Sequence, residues 1–262
     1  LEKISVGIPY YNIVFLPLMI PLVLLAGYIP ILFLSKNQSA RNNIKYFLAS
    51  FIIILLLTLF SLTFLDSYNL NVLIGIFIFF WISVNLLYDL LQKYMKTKKI
   101  KVLISNIGMT FAHIGLAVFV LGATVVENNK IEKELVMNIG EKTQVSDYTF
   151  FFSNMNEEIG PNYKSLKAEF KIYKDGKLIS KLYPEKRLYL SNKMPMTEAG
   201  IEPGLTKDLY IVLGNLIDND KWSVRIYHKP LIRLIWIGAL MMVLGGISSV
   251  ISRRKQLHNS IE

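Results

Sequence analysis

The run Gly108-Met109-Thr110-Phe111-Ala112-His113-Ile114-Gly115-Leu116-Ala117-Val118-Phe119-Val120-Leu121-Gly122 is apolar except for Thr110 and one imidazole, His113, near its middle. An ionisable side chain in such a run is costly to bury in lipid and marks a functional site by default. The chemistry open to a lone imidazole in an apolar wall is metal ligation, and haem iron is the obvious metal. On a helix, residues four and seven positions away share its face, which groups Asn106, Met109, Ala117 and Val120 with His113. Ala117 leaves room beside the ring. The run also carries Gly108, Gly115 and Gly122 at seven-residue spacing, a small-residue seam that lets another helix approach closely. The alternative is a histidine hydrogen-bonded to a neighbouring helix with no further role. Spacing alone leaves both open.

A second ligand is not evident in the sequence. His228, in Tyr227-His228-Lys229-Pro230, is expected at the outer membrane surface, and His258 in the cytoplasmic tail, so neither meets His113 from the opposite side. His228 reads better as an interfacial anchor beside Lys229. The absence of cysteine excludes disulfides, thiolate catalysis, Cys-ligated zinc, iron–sulfur clusters and covalent C-x-x-C-H haem attachment on this chain. Pro184-Glu185-Lys186-Arg187 and Met194-Pro195-Met196-Thr197-Glu198 are turn-prone. Glu185, Lys186, Arg187, Thr197 and Glu198 are candidates for a partner-docking face. They offer no nucleophile–base pairing, so solvated loops are the plainer reading and no catalytic residue is assigned. The sequence holds no phosphate loop, metal-box spacing or Ser–His–Asp set.

The elements that must position His113 are membrane helices. The chain is 53% hydrophobic and 18% charged, outside the range of ordinary soluble domains, and its apolar residues gather in blocks. Spans are expected at about 10–34, 46–65, 70–91, 104–126 and 231–251, each long enough for the hydrocarbon core. Pro9, Pro17, Pro21 and Pro30 predict a kinked or partly broken first span. The net charge of +10 falls entirely outside 127–228, where 15 acidic residues balance 15 basic ones. Lys36, Arg41 and Lys45, then Lys93, Lys96, Lys98, Lys99 and Lys101, then Arg253, Arg254 and Lys255 mark cytoplasmic loops beside the spans. Asp66-Ser67-Tyr68-Asn69 carries no Lys or Arg, as suits an outside turn. The N-terminus and 127–228 are then outside and the C-terminus inside. A nucleic-acid partner is a poor reading of the charge, since the polar domain carries no net positive charge.

The expected architecture is a polytopic α-helical membrane protein: four helices in 1–126, an extracytoplasmic all-β domain of about 100 residues at 127–228, and the fifth helix with a basic tail in 229–262. In the β domain, 167–173 and 177–183 alternate polar and apolar residues around Asp175-Gly176, a type I′ turn. A second strand pair is predicted at 208–213 and 222–227, with Asp218-Asn219-Asp220 in its turn, and another strand at 148–152. A small sandwich or barrel follows.

Several stretches together resemble one family, the C-terminal part of CcmF, the large membrane component of the System I cytochrome c maturation machinery. They are Ser5-Val6-Gly7-Ile8-Pro9-Tyr10-Tyr11-Asn12, Gly108-Met109 with Ala112-His113-Ile114-Gly115, Gly160-Pro161-Asn162-Tyr163, Pro184 to Arg187, Met194 to Glu198, Asp208-Leu209-Tyr210, Lys229-Pro230 and Leu244-Gly245-Gly246. The resemblance covers essentially the whole chain. It implies a part of a haem lyase, which takes haem from a haem chaperone and delivers it to apocytochrome c outside the membrane. It also implies a b-type haem between two transmembrane histidines, with His113 on one of those ligands and haem b shared with a partner chain. The family's tryptophan-rich segment, its outside histidines and its second transmembrane histidine have no counterpart here; Trp81, Trp222 and Trp236 are scattered. The chain therefore resembles a C-terminal portion, a split subunit or a truncated product, whose N-terminus suits continuation from another half.

The resemblance thus implies a haem-handling subunit that works with an N-terminal counterpart, with apocytochrome c and thiol-handling maturation proteins as further partners. Catalysis by this chain alone is not expected. The setting is a bacterial inner membrane with the β domain in the periplasm, or alternatively the mitochondrial inner membrane. The runner-up is a structural or docking subunit whose β domain recruits apocytochrome or another maturation protein while His113 only packs. A small-molecule transporter fares worst, because Asp66 and Asp89 read as caps of span ends and His113 stands alone at mid-depth.

Overall fold

The computed structural model describes residues 7, 10–35, 40–63, 69–98, 100–191, 194–218 and 221–258. Ser5, Val6, Ile8, Pro9, Lys36, Asp66, Ser67, Tyr68, Lys99, Asn219 and Asp220, all drawn on above, lie outside the described residues. The chain divides into two compact units: a helical one, 1–128 with 234–262, and a β one, 129–233.

The helical unit contains α1 (Leu16–Ser35), α2 (Ala40–Leu62), α3 (Leu70–Thr97), α4 (Ile100–Asn129) and α5 (Arg233–His258). Among the described residues, four stretches are long and apolar enough to cross a membrane: Ile44–Leu62, Leu70–Thr97, Asn106–Asn129 and Arg233–Ser252. In α1 the described apolar stretch is the shorter Pro17–Tyr28. The first span, expected to be kinked or partly broken, is interrupted in its helical type. A π-helical turn, Tyr11–Phe15, precedes α1, which then runs unbroken through Pro17, Pro21 and Pro30. The wider turn lies where the Pro17 ring would press on the carbonyl of Ile13.

Asn69 caps α3, its side chain accepting from the Val72 N–H at 3.1 Å. At the other end Lys98 takes a left-handed conformation, φ 51°, and closes on the Tyr94 carbonyl. The helix therefore extends two turns beyond Asp89. Asp89 does not cap a span end; it is fully buried inside the helix. The apolar pattern stops early because lysines occupy the final turns, and lysine is a good helix former. Trp81 of α3 donates from Nε1 to the Leu24 carbonyl of α1 at 3.0 Å, and packs with Val23, Ile54, Ile78, Ile82 and Ala117.

Among the described residues the β unit has ten strands: β1 (Ile131–Asn138), β2 (Lys142–Val145), β3 (Tyr148–Ile159), β4 (Tyr163–Lys174), β5 (Lys177–Leu182), β6 (Glu185–Tyr189), β7 (Pro195–Glu198), β8 (Gly200–Pro203), β9 (Lys207–Asp218) and β10 (Lys221–Pro230). One sheet runs β1-β10-β9-β8; the other runs β2-β3-β4-β6-β7, with β5 also on β4. Alternation places Tyr148, Phe150 and Phe152 of β3 inward against Ala168, Phe170 and Ile172 of β4 and Leu209, Ile211 and Leu213 of β9. Phe152 and Phe170 stack at 4.6 Å. The β4–β5 hairpin turns on Asp175 and Gly176, with φ of 49° and 75°. Both are positive, as a type I′ turn requires.

Candidate functional site

α4 presents two working faces. On one, Gly108, Gly115 and Gly122 meet α5. A Cβ added at Gly115 would stand 2.7 Å from the Gly238 carbonyl oxygen, and one at Gly108 2.8 Å from that of Gly245. The fit is reciprocal: a Cβ at Gly238 or Gly245 would lie 2.6 Å from the Gly115 or Gly108 carbonyl. Backbones this close leave no volume for any side chain.

His113 lies about 200° around the helix from Gly115, on the opposite face. That face turns toward α3. Gly75 of α3 sits against Thr124, where an added Cβ would be 2.0 Å from the hydroxyl, and Lys93 donates to Asn106 Oδ1 at 3.4 Å. Ala117, fully buried, packs in the cluster of Ile82 and Ile78. The predicted stripe of Asn106, His113 and Ala117 is therefore the α3-facing side of α4.

His113 is half-buried, and its Nδ1 lies 2.9 Å from the Met109 carbonyl oxygen one turn back. A carbonyl only accepts, so Nδ1 is the donor, and in the neutral ring Nε2 then keeps its lone pair. Ligating histidines are oriented this way, the second nitrogen donating to a carbonyl or carboxylate. The residues thus fit a ligand to haem iron: a pinned imidazole whose other ring nitrogen would ligate. Among the described residues, none forms a cluster of three or more His, Asp or Glu able to hold a metal ion by itself.

α3 adds polar groups that did not stand out by residue type. Asn85 and Asp89 are both fully buried, one turn apart. Asp89 Oδ2 accepts from Lys93 at 2.7 Å. The spacing of Asn85, Asp89 and Lys93 at i, i+4 and i+8 is a helical stripe, and that was the signal available in the sequence.

The five docking candidates come together. β6 and β7 pair Glu185 with Glu198, Lys186 with Thr197 and Arg187 with Met196. They are strands rather than the expected loops. Pro195 opens an edge strand and Pro184 precedes β6, positions where a missing N–H disrupts no central ladder. Most of their polar groups are engaged within the domain. Arg187 donates to Glu185 at 2.9 Å, stands 3.5 Å from Glu198 and lies 4.6 Å over the Tyr163 ring. Lys186 donates to Asn215 and to the Gly214 carbonyl. With Thr197, Val212, Ser223 and Arg225 it lines a cleft of about 410 Å³. The outward remainder of this edge is apolar, with Leu188, Leu190, Met194 and Met196 exposed. His228, set aside as an anchor, is half-buried and stacked on Tyr148 at 6.1 Å.

The sequence profile of the CcmF C-terminal beta-sandwich matches residues 128–230. Across nearly the whole chain, 35% identity over 261 residues relates it to the cytochrome c-type biogenesis protein CcmF of Haemophilus influenzae, covering 97% of this chain and 40% of that protein. The chain belongs to the CcmF family. It corresponds to the C-terminal part. The CcmF of Escherichia coli is 34% identical over 247 residues, covering 94% of this chain and 38% of the relative. A solved structure of "Cytochrome c Heme Lyase CcmF" shares the fold with a TM-score of 0.74 at 19% identity, over 93% of this chain and 40% of that one. The chain spans about two fifths of the length of the curated relatives it matches. Its apolar helices and β-sandwich make it a membrane protein of this family with one β domain.

Proposed function

We propose that this CcmF-family chain is the haem-handling C-terminal part of a cytochrome c maturation system and that His113 would supply one iron ligand of a transmembrane b-type haem. The carrying observation is the His113–Met109 hydrogen bond, which orients the ring and leaves Nε2 to ligate. The relatives named for cytochrome c biogenesis support the system. The second ligand comes from the remaining three fifths of the family's length, as a partner chain or a covalently continuous one. Bound there, the haem supplies one-electron redox chemistry. His113 would hold the iron, and Ala117, the small residue one turn on, packs against Ile78 and Ile82 of α3. α1 is the fifth span, the lysine-bearing ends of the helices face the cytoplasm of a bacterial inner membrane, and the β domain is periplasmic. Haem chaperone, apocytochrome c and thiol-handling proteins are the partners.

Purification of this chain with the rest of the family sequence, followed by a reduced optical spectrum, tests the ligand. His113→Ala is expected to abolish the b-type band while the complex still assembles. An unchanged band and intact cytochrome c maturation would show His113 to be packing only.

One observation favours a docking role for the β domain alongside this: the exposed apolar edge at Leu188, Met194 and Met196 beside Glu185, Lys186, Arg187, Thr197 and Glu198. Pull-down of the full complex with apocytochrome c, comparing wild type with Met196→Glu, reads it. Equal capture by both removes the docking role from this edge.

A further inference from the structure

The α3–α4 pair carries a polar seam that the haem-ligand reading does not use. Gly75 meets Thr124 and Lys93 meets Asn106. Eighteen residues separate these two contacts along either helix, so the antiparallel register holds between them. Ile82 accordingly falls opposite Ala117, and both belong to one packed cluster. The same register sets Asp89 opposite Thr110 and Asn85 at the level of His113 and Ile114. Lys93, Asp89 and Asn85 thus climb about 12 Å from the lysine-rich loop to the depth of the imidazole.

This ladder is buried and short of protein partners. Lys93, whose side chain is 30% exposed, reaches Asp89 Oδ2, but Asp89 Oδ1 finds no partner among the described residues. Neither Asn85 Oδ1 nor Asn85 Nδ2 has one, and Asn85 is 0% exposed. Each such group left unpaired is destabilising, because its lost hydration is not repaid. Ordered water, with its two donors and two acceptors, is what satisfies buried polar groups of this kind.

We propose that Asn85, Asp89 and Lys93 of α3, with Thr110 and Asn106 of α4, form a hydrated track that admits water, and protons carried in it, from the lysine-rich loop to the level of His113. Along the track a proton passes from one water to the next, each O–H bond formed matched by one broken. The use of the track, to compensate charge at a redox-active haem, rests on the His113 reading; the hydration does not.

The chain has no cysteine, so single cysteines report access without further engineering. Asn85→Cys and the near-isosteric Thr110→Cys are each placed in the full complex in membrane vesicles, with Ile82→Cys as the dry control and Lys96→Cys to mark the loop's face. A small, membrane-impermeant cationic methanethiosulfonate is added to either face. The thiolate is the reacting form and is suppressed in apolar surroundings, so both track positions are expected to react more than about tenfold faster than Ile82→Cys, from the face that modifies Lys96→Cys. Reaction at the control's rate, equal reaction from both faces, or faster reaction from the opposite face would overturn the track. The haem band is a separate readout, so loss of the His113 reading and loss of the track are distinguishable.

Discussion

A single hydrogen bond from Nδ1 to the Met109 carbonyl decides the chemistry open to His113, because it selects the tautomer as well as the ring orientation. A second imidazole shows the opposite use of burial. His228 is held below its ordinary pKa by burial first and by the nearby Lys207 second, with Asp147 opposing. Lys207 stands 3.6 Å over the same Tyr148 ring on which His228 stacks. The folded value lies below the unfolded one, so between them the unfolded chain binds more protons. The stabilising contribution is fully present above the ordinary value of 6.5 and is lost as pH falls through the folded value. Thermal unfolding followed by tryptophan fluorescence should show the midpoint falling on acidification below that value. His228→Phe, which keeps a ring on Tyr148, should flatten that part of the slope.

At the scale of elements, the adjoining glycines of α5 are unequal. Gly245 is pressed against Ala112 and Gly108, whereas a Cβ at Gly246 would meet nothing within 4 Å. Gly115→Val should push α4 and α5 apart and destabilise the helical unit by about 1–3 kcal/mol, as overpacking does. Gly246→Val should leave the melting temperature in detergent nearly unchanged. Equal effects would mean that the seam does not set the helix spacing. In the β unit, Phe170 is fully buried and stacked on Phe152. Phe170→Ala is expected to lose about 3–5 kcal/mol in denaturant unfolding.

For the whole molecule, the prediction concerns sidedness. On the proposed topology of five spans with the lysine-rich ends inside, Lys177→Cys at the start of β5 should be labelled by an impermeant thiol reagent on intact cells, and Lys96→Cys only after the membrane is opened. Labelling of both from the same side would contradict that topology. The two compact units have different internal logic: one is held by side-chain alternation across paired strands, the other by close backbone approach between helices.

Local chemistry was legible in the residues themselves. Alternation at 167–173 and 177–183 placed β4 and β5, and Asp175-Gly176 named a turn whose two positive φ angles the backbone adopts. The seven-residue glycine repeat announced that a helix would pack there, because helical period and side-chain size are properties of neighbouring residues. Which helix would come was a tertiary decision, as Gly238 and Gly245 lie more than a hundred residues away. The pairing of Glu185 with Glu198, the burial of Asn85 and Asp89, and the orientation of His113's stripe toward α3 belong to the same class. Each depends on which faces meet, and long-range contact, unlike periodicity, leaves no mark within a single window of sequence.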